Sequence, residues 1–89
     1  MPPIGPGKTL KNERKYPYIV KLAVDSHGLN VELSRRIIEF HKSRHIQPRH
    51  GRIIAKPGGG FYYRWCFADL LTATAFTEQF GGEFCKPSI

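Results

Sequence analysis

The sequence has few cysteines and no long apolar run. Its two cysteines, Cys66 and Cys85, are too few and too far apart for a disulfide framework or a metal knuckle, and a reducing compartment would keep both as thiols. No apolar run approaches the roughly 18 residues that span a bilayer, and the first residues lack the apolar core of a signal peptide. We therefore expect a cytoplasmic protein with no membrane partner.

Acidic residues are also scarce. Seven Asp and Glu stand against 14 Lys and Arg, which gives a net charge of +7 in a chain of 89 residues. Residues 35 to 64 carry the excess, because Glu39 is the only acid there. Such a localised positive field attracts phosphate, anionic lipid or an acidic protein surface. The length permits one domain with one modest hydrophobic core.

Motifs for catalysis or cofactor binding are missing as well. The run Gly58-Gly59-Gly60 is followed by a strand and lacks the Gly-Lys-Ser/Thr of a phosphate loop. His41 and His45 have the spacing of two zinc ligands on a helix, but no third ligand is apparent. Cys66 would need a neighbouring base to act as a nucleophile, and none can be placed beside it. We expect a protein that is not an enzyme and has no cofactor, metal or catalytic residue.

The chain begins with a segment that has almost nothing to bury. Three prolines and two glycines among the first seven residues are followed by Lys8, Lys11, Arg14 and Lys15. This composition predicts a flexible basic arm over residues 1 to 15, with a single domain over residues 16 to 89.

Apolar periodicity and turn residues divide this domain into six elements. Asn30 and Asp69 are suited to cap the two helices, and Gly81 to end the second one. The predicted elements are a strand over 18–24, a helix over 30–45, a strand over 52–56, a strand over 61–67, a helix over 70–80 and a strand over 83–86. This order predicts an α+β, ferredoxin-like βαββαβ fold, with two helices on one face of a four-stranded antiparallel sheet. A version without the last strand remains an alternative.

The strand that follows the glycine run is the most aromatic segment. A period of two separates its side chains into two faces, and we expect the larger face, Phe61, Tyr63, Trp65 and Phe67, to pack under the helices. Tyr62, Arg64 and Cys66 would then lie on the open face of the sheet. Tyr62 and Arg64 stand where the octamer of an RNA-recognition motif has a small and an aliphatic residue, so that motif is not indicated.

The open sheet face and its surroundings form the predicted binding surface for an anionic partner. Its members carry a positive charge, or a ring that could stack on a base, and nucleic acid is the favoured partner over an acidic protein. The same residues would also serve simply to keep an open sheet face soluble. The predicted binding residues are Lys21, Arg35, Arg36, Arg44, Arg49, Arg52, Lys56, Tyr62 and Arg64.

Two further interpretations stay open at this stage. An open face that includes Ile54, Tyr62 and Cys66 could be apolar enough to pair two copies of the chain, which would make the protein a homodimerising interaction domain. Alternatively, a cleft between sheet and helices, lined by Tyr63, Trp65 and His41, could serve a small dimeric enzyme or ligand-binding domain. No acid and base pair supports the latter.

Three short strings resemble the recurring marks of a group of uncharacterised bacterial proteins. They are Tyr16-Pro-Tyr-Ile-Val20, Arg64-Trp-Cys-Phe-Ala-Asp69 and Phe80-Gly-Gly-Glu-Phe84. The resemblance spans about residues 16 to 84. It implies a self-contained bacterial domain of unknown function, and it carries over no activity, cofactor or site residue.

Overall fold

A computed structural model describes residues 6–85, and within them the chain has an α+β fold of three helices and a four-stranded antiparallel sheet. The predicted class is therefore confirmed. The elements are α1 Pro6–Lys15, β1 Tyr18–Val24, α2 Val31–Ser43, β2 Ile54–Ala55, β3 Phe61–Phe67, α3 Leu70–Phe80 and β4 Glu83–Cys85. None of the helices in this part of the chain is long and apolar enough to cross a membrane.

The sheet has the strand order β2-β3-β1-β4, so β1 lies between β3 and β4. β1 and β3 pair along their whole length, with Val20 opposite Trp65, while β4 pairs with only part of β1. Gly60 directly precedes β3 and has a φ of 82°, and a Cβ there would collide with the carbonyl oxygen of Val24, so the position requires glycine.

The strand β2 is shorter than the predicted strand over residues 52–56. The backbone N–H of Arg52 donates to the carboxylate of Glu13 (2.7 Å) instead of to a neighbouring strand. The preceding segment does contact β3, because Gly51 N–H donates to the Arg64 carbonyl and Cys66 N–H to that of Arg49. Since the Gly51 N–H points to β3, the Arg52 N–H points to the outer edge of the sheet, where the carboxylate of Glu13 accepts its hydrogen bond.

The hydrophobic core lies between one face of the sheet and the helices α2 and α3. Trp65 and Phe67 are buried in it, as the period-two pattern predicts, whereas Phe61, at the start of β3, is 37% exposed. Phe76 of α3 is fully buried. The cluster of buried residues comprises Val20, Leu22, Ile37, Phe40, Trp65, Phe67, Ala73 and Phe76.

Both predicted helix caps are present. The side chain of Asn30 accepts from the N–H of Leu33 and that of Asp69 from the N–H of Thr72, each at 2.7 Å. The helix α2 ends at Ser43, earlier than the predicted His45, which has a φ of 56° and lies beyond the helix end. Side-chain capping of backbone N–H groups thus begins both helices where the sequence indicates.

The segment predicted as a flexible basic arm contains the helix α1. The prediction covered residues 1 to 15, but residues 6–15 are helical and the helix contacts the rest of the protein. It does so without contributing to the hydrophobic cluster: the Asn12 amide donates to the carbonyl of His50 (2.9 Å), and Glu13 pairs with Arg52 and Arg64. The arm has little to bury, and polar contacts position it instead. Residues 1–5 and 86–89 lie outside the described residues.

Among the residues whose burial the structure describes, 9–85, His41 is the one polar side chain buried with the core. It is 1% exposed, its Nδ1 lies 2.8 Å from the carbonyl oxygen of Ile37, and its ring stacks on Phe67 with the centroids 5.7 Å apart. Because the carbonyl can only accept, Nδ1 carries the proton of a neutral ring. Burial lowers the pKa of His41, and the nearby charges of His50 and Arg44 lower it further.

We predict that the protein loses stability as the pH falls below about 6.5. His41 titrates near its ordinary pKa of 6.5 when unfolded but at a lower pH when folded, so between these values the unfolded state binds more protons. The contribution of the neutral His41 ring to stability is complete at pH values above the pKa of the unfolded state, and it is lost as the pH falls from there to the pKa of the folded state. Urea midpoints at about pH 7.5 and about pH 5 measure the effect.

The His41→Leu variant is the test of this assignment, and His45→Gln is its control. The first should reduce the pH dependence, because the only fully buried imidazole has been removed. His50, whose pKa desolvation also lowers, accounts for the part that remains. The second should leave it unchanged, because His45 is exposed. An unaltered pH dependence in His41→Leu would contradict the prediction.

Candidate anion-binding surface

The predicted binding residues lie on two opposite sides of the sheet. Helix α2, which carries Arg35 and Arg36 and is followed directly by Arg44, packs on the face that holds Trp65. Because side chains alternate along a strand, Tyr62 and Arg64 point to the other face. The structure therefore does not bring the predicted residues together into one surface.

The arginines of α2 are largely paired within their own helix. Arg35 donates to Glu32 (2.8 Å) and Arg36 donates to the other oxygen of the same carboxylate (3.2 Å). These hydrogen bonds lower the pKa of Glu32. Arg44 lies over the ring of Phe40, 3.9 Å from its centroid. Ion pairs at i, i+3 and i, i+4 thus offset much of the positive charge predicted for this side.

Lys21 and Tyr62 are neighbours on the other face of the sheet. The Lys21 ammonium lies 4.7 Å from the centroid of the Tyr62 ring and 3.7 Å from a carboxylate oxygen of Glu83. Lys56 is exposed beside the glycine hairpin. This part of the predicted surface contains the ring of Tyr62 and the ammonium of Lys21, but Glu83 offsets the positive charge of Lys21.

The last two predicted arginines share one acid. Arg52 and Arg64 both contact the carboxylate of Glu13, at 3.0 and 3.2 Å, and this carboxylate is nearly buried. Burial of Glu13 opposes its ionisation, but the hydrogen bonds and charge of the two arginines outweigh burial and hold its pKa below the ordinary value. The open face predicted for the sheet is therefore covered at this point by α1.

Cys66 is not exposed on that face, contrary to the prediction. It is 2% exposed, and it lines a small cavity together with Tyr16 and Arg49. These two residues follow α1 and precede β2 in the chain, so the same segments that reach Arg64 also enclose the thiol. Burial raises the pKa of Cys66 to about 12, which keeps the thiol protonated and unreactive.

Seven cations among residues 9–85 have no ion pair with an acid: Lys11, Arg14, Lys15, Lys42, Arg44, Arg49 and Lys56. Four of them, Lys11, Arg14, Lys15 and Arg49, line a shallow depression of about 920 Å³, which we call the cationic depression. No acid lines it, and none of the four has an ion pair within residues 6–85. The guanidinium of Arg49 lies 4.3 Å, and the ammonium of Lys15 5.7 Å, from the centroid of the Tyr16 ring. Phosphate oxygens are the groups that such a surface attracts.

Of these residues only Arg49 was among the predicted binding residues. Lys11, Arg14 and Lys15 were assigned to the flexible arm, although their i, i+3 and i+4 spacing places them on one side of a helix. That spacing is the signal that could have identified them. It carries information only if the arm is helical, and the glycines and prolines before Lys8 argue against a helix.

The described residues hold no cluster of three or more His, Cys, Asp or Glu that could bind a metal ion. His41 and His45, which have the spacing of two zinc ligands, differ in position: the first is in the core and the second is exposed beyond the helix end. The two imidazoles therefore do not form the metal pair that their spacing suggests.

No protein-family model matches the sequence, and no curated protein or solved structure gives a significant match. The resemblance to short bacterial proteins, the homodimer, the acidic protein partner and the cytoplasmic location thus stay predictions. Any function must be argued from the residues of this chain.

Proposed function

We propose that the protein is a non-enzymatic module that binds single-stranded nucleic acid through the cationic depression. The observation that carries the proposal is that Lys11, Arg14, Lys15 and Arg49 surround one aromatic ring with no acid among them. Elsewhere in the described residues, five cations are paired with acids: Lys21, Arg35, Arg36, Arg52 and Arg64.

The chemistry of the depression suits a single strand better than a duplex. Single-strand binding combines cations that follow the phosphates with flat groups on which bases stack, and Arg49 presents a guanidinium plane over Tyr16. The three cations of α1 lie on one side of a helix of 10 residues, a span that a few nucleotides match. The depression therefore supplies both components in one place.

We propose further that the domain has the ferredoxin-like topology. Its support is the sheet order β2-β3-β1-β4 with antiparallel neighbours and with α2 and α3 packed on one face. In this reading α1 is an addition before the first strand, and it covers part of the face that the fold otherwise leaves open. The fold alone assigns no function.

A salt titration tests the proposed function. We expect a labelled single-stranded oligonucleotide to bind at low ionic strength and its affinity to fall steeply between about 50 and about 200 mM salt, because bound cations release condensed counterions. Fluorescence anisotropy measures the affinity, and a duplex of the same sequence is the comparison. Absence of binding to either form at about 50 mM salt would contradict the proposal.

A further inference from the structure

The carboxylate of Glu13 accepts four hydrogen bonds from Arg52 and Arg64, which uses its full acceptor capacity. One oxygen accepts from the backbone N–H of Arg52 (2.7 Å) and from its Nε (3.1 Å). The other accepts from Nη2 of Arg52 (3.0 Å) and from Nη1 of Arg64 (3.2 Å). Gly51 leaves room for this approach, since a Cβ there would lie 3.0 Å from a carboxylate oxygen of Glu13.

The charges at this point do not balance. Two guanidinium groups face one carboxylate, which leaves an excess of one positive charge; the side chains of Glu13 and Arg64 are largely shielded from water, whereas that of Arg52 is 48% exposed. In addition, the Nε of Arg64 is buried and has no hydrogen-bond partner among the described residues. The donors and the charge thus exceed what Glu13 satisfies, and an anion with more oxygens and a higher charge would satisfy them better.

The Glu13 side chain can leave the site without opening the core. No residue of 9–15 belongs to the hydrophobic cluster, and Glu13 contacts the sheet edge through hydrogen bonds and ion pairs. Turning the Glu13 side chain away therefore exposes little apolar surface, and α1 can keep its cations in the cationic depression. An anion that supplies the same interactions can compete for the place of the carboxylate.

We propose that Arg52 and Arg64, together with the backbone N–H of Arg52, form a phosphate-binding site that Glu13 occupies in the free protein. The ligand is a phosphate group of a nucleic acid strand, so this inference rests on the proposed function and adds a second contact point to it. A phosphate offers three or more acceptor oxygens in a tetrahedral arrangement, which suits donors from a backbone N–H and two guanidinium forks. Lys21 and Tyr62 lie on the same face and extend the site along the sheet.

The test compares Glu13→Gln with Glu78→Gln in the full-length chain. Both variants remove one negative charge, but Glu78 is an exposed residue of α3, on the other side of the sheet. If the site is free only about a tenth of the time in the wild type, Glu13→Gln should bind a 5′-phosphorylated single strand about tenfold more tightly. Glu78→Gln should stay within about twofold of the wild type, and adding Arg64→Gln to Glu13→Gln should abolish the gain.

Equal affinities of Glu13→Gln and Glu78→Gln, or a gain that persists after Arg64→Gln, would overturn the inference. Binding by the wild type with no gain in Glu13→Gln would leave the proposed function standing and remove only this site. Conversely, binding by Glu13→Gln that does not depend on the cationic depression would support this site and contradict the proposed one.

Hydrogen exchange provides a second readout in the unmodified protein. Inorganic phosphate is the probe, because a strand would also contact the cations of α1 and protect its amides directly. Phosphate at concentrations that saturate Glu13→Gln should speed exchange of the α1 amides, residues 6–15, since the helix loses the contact made by Glu13. Unchanged or slower exchange of these amides would contradict the displacement.

Discussion

Replacing Phe76 with alanine is expected to destabilise the protein by about 3 to 5 kcal/mol. The side chain is fully buried, and its ring contacts those of Phe80, Phe67, Phe40 and Trp65 at centroid distances of 4.9 to 5.4 Å. Removing it takes away the ring that joins α3 to α2 and β3 at once, and the cavity that remains adds to the lost transfer free energy. A domain of this size has a total stability of roughly 5 to 10 kcal/mol, so the loss is a large part of it.

Urea denaturation followed by the fluorescence of Trp65 measures this change, because Trp65 is the only tryptophan and is buried beside Phe76. The control is Leu71→Ala in the same helix. Leu71 is 82% exposed, so its truncation should change the stability by less than about 0.5 kcal/mol. If Phe76→Ala cost no more than Leu71→Ala, the packing of α3 against the sheet would be different from that described.

The elements that form the core could be predicted from the sequence because their signals are local. The strands Tyr18–Val24 and Phe61–Phe67 and the helix Leu70–Phe80 have the predicted bounds. In each element, apolar residues recur with the period of the strand or helix that forms. In addition, the capping residue Asp69 directly precedes the helix Leu70–Phe80. The burial of Trp65 and Phe67 follows from the same alternation.

The helix α1 could not be predicted in this way. Its first residues argue against a helix, and the contact that holds it joins Glu13 to Arg52 and Arg64, which are far away in the sequence. No local period reveals an ion pair over such a separation. The same carboxylate accepts from the Arg52 N–H at the outer edge of the sheet. One acid in a basic segment thus accounts for the contact that holds α1 where composition predicts a flexible arm.

The candidate binding surface of the structure differs from the predicted one for a related reason. Net charge and its distribution predicted a basic surface but not which cations remain unpaired, and pairing depends on the position of only a few acids. Part of this could be read from the sequence, since Glu32 precedes Arg35 and Arg36 by three and four residues on one helix. The pairing of Arg52 and Arg64 with Glu13 could not. The candidate site is therefore placed at α1 and not at α2 and the open face of the sheet.

This shift leads to the second large expected effect. Replacing Lys11, Arg14 and Lys15 together with glutamine should weaken binding to a single-stranded oligonucleotide on the order of 100-fold at low salt, if each exposed cation contributes about 1 kcal/mol. Glutamine is a good helix former and retains the length of the side chains, so α1 should persist. The dependence of log affinity on log salt should also become shallower by about 2, since each lost phosphate contact on a single strand removes about 0.7.

The matched control replaces Arg35, Arg36 and Arg44 with glutamine. It removes the same number of charges from the other side of the sheet, where Glu32 already pairs with two of the three arginines. If the cationic depression is the binding surface, this variant should lose less than about fivefold and keep the salt slope of the wild type, because only the long-range field changes. Equal losses in the two variants would mean that net charge alone drives binding. A greater loss in the α2 variant would favour the surface predicted from the sequence over the one that the unpaired cations define.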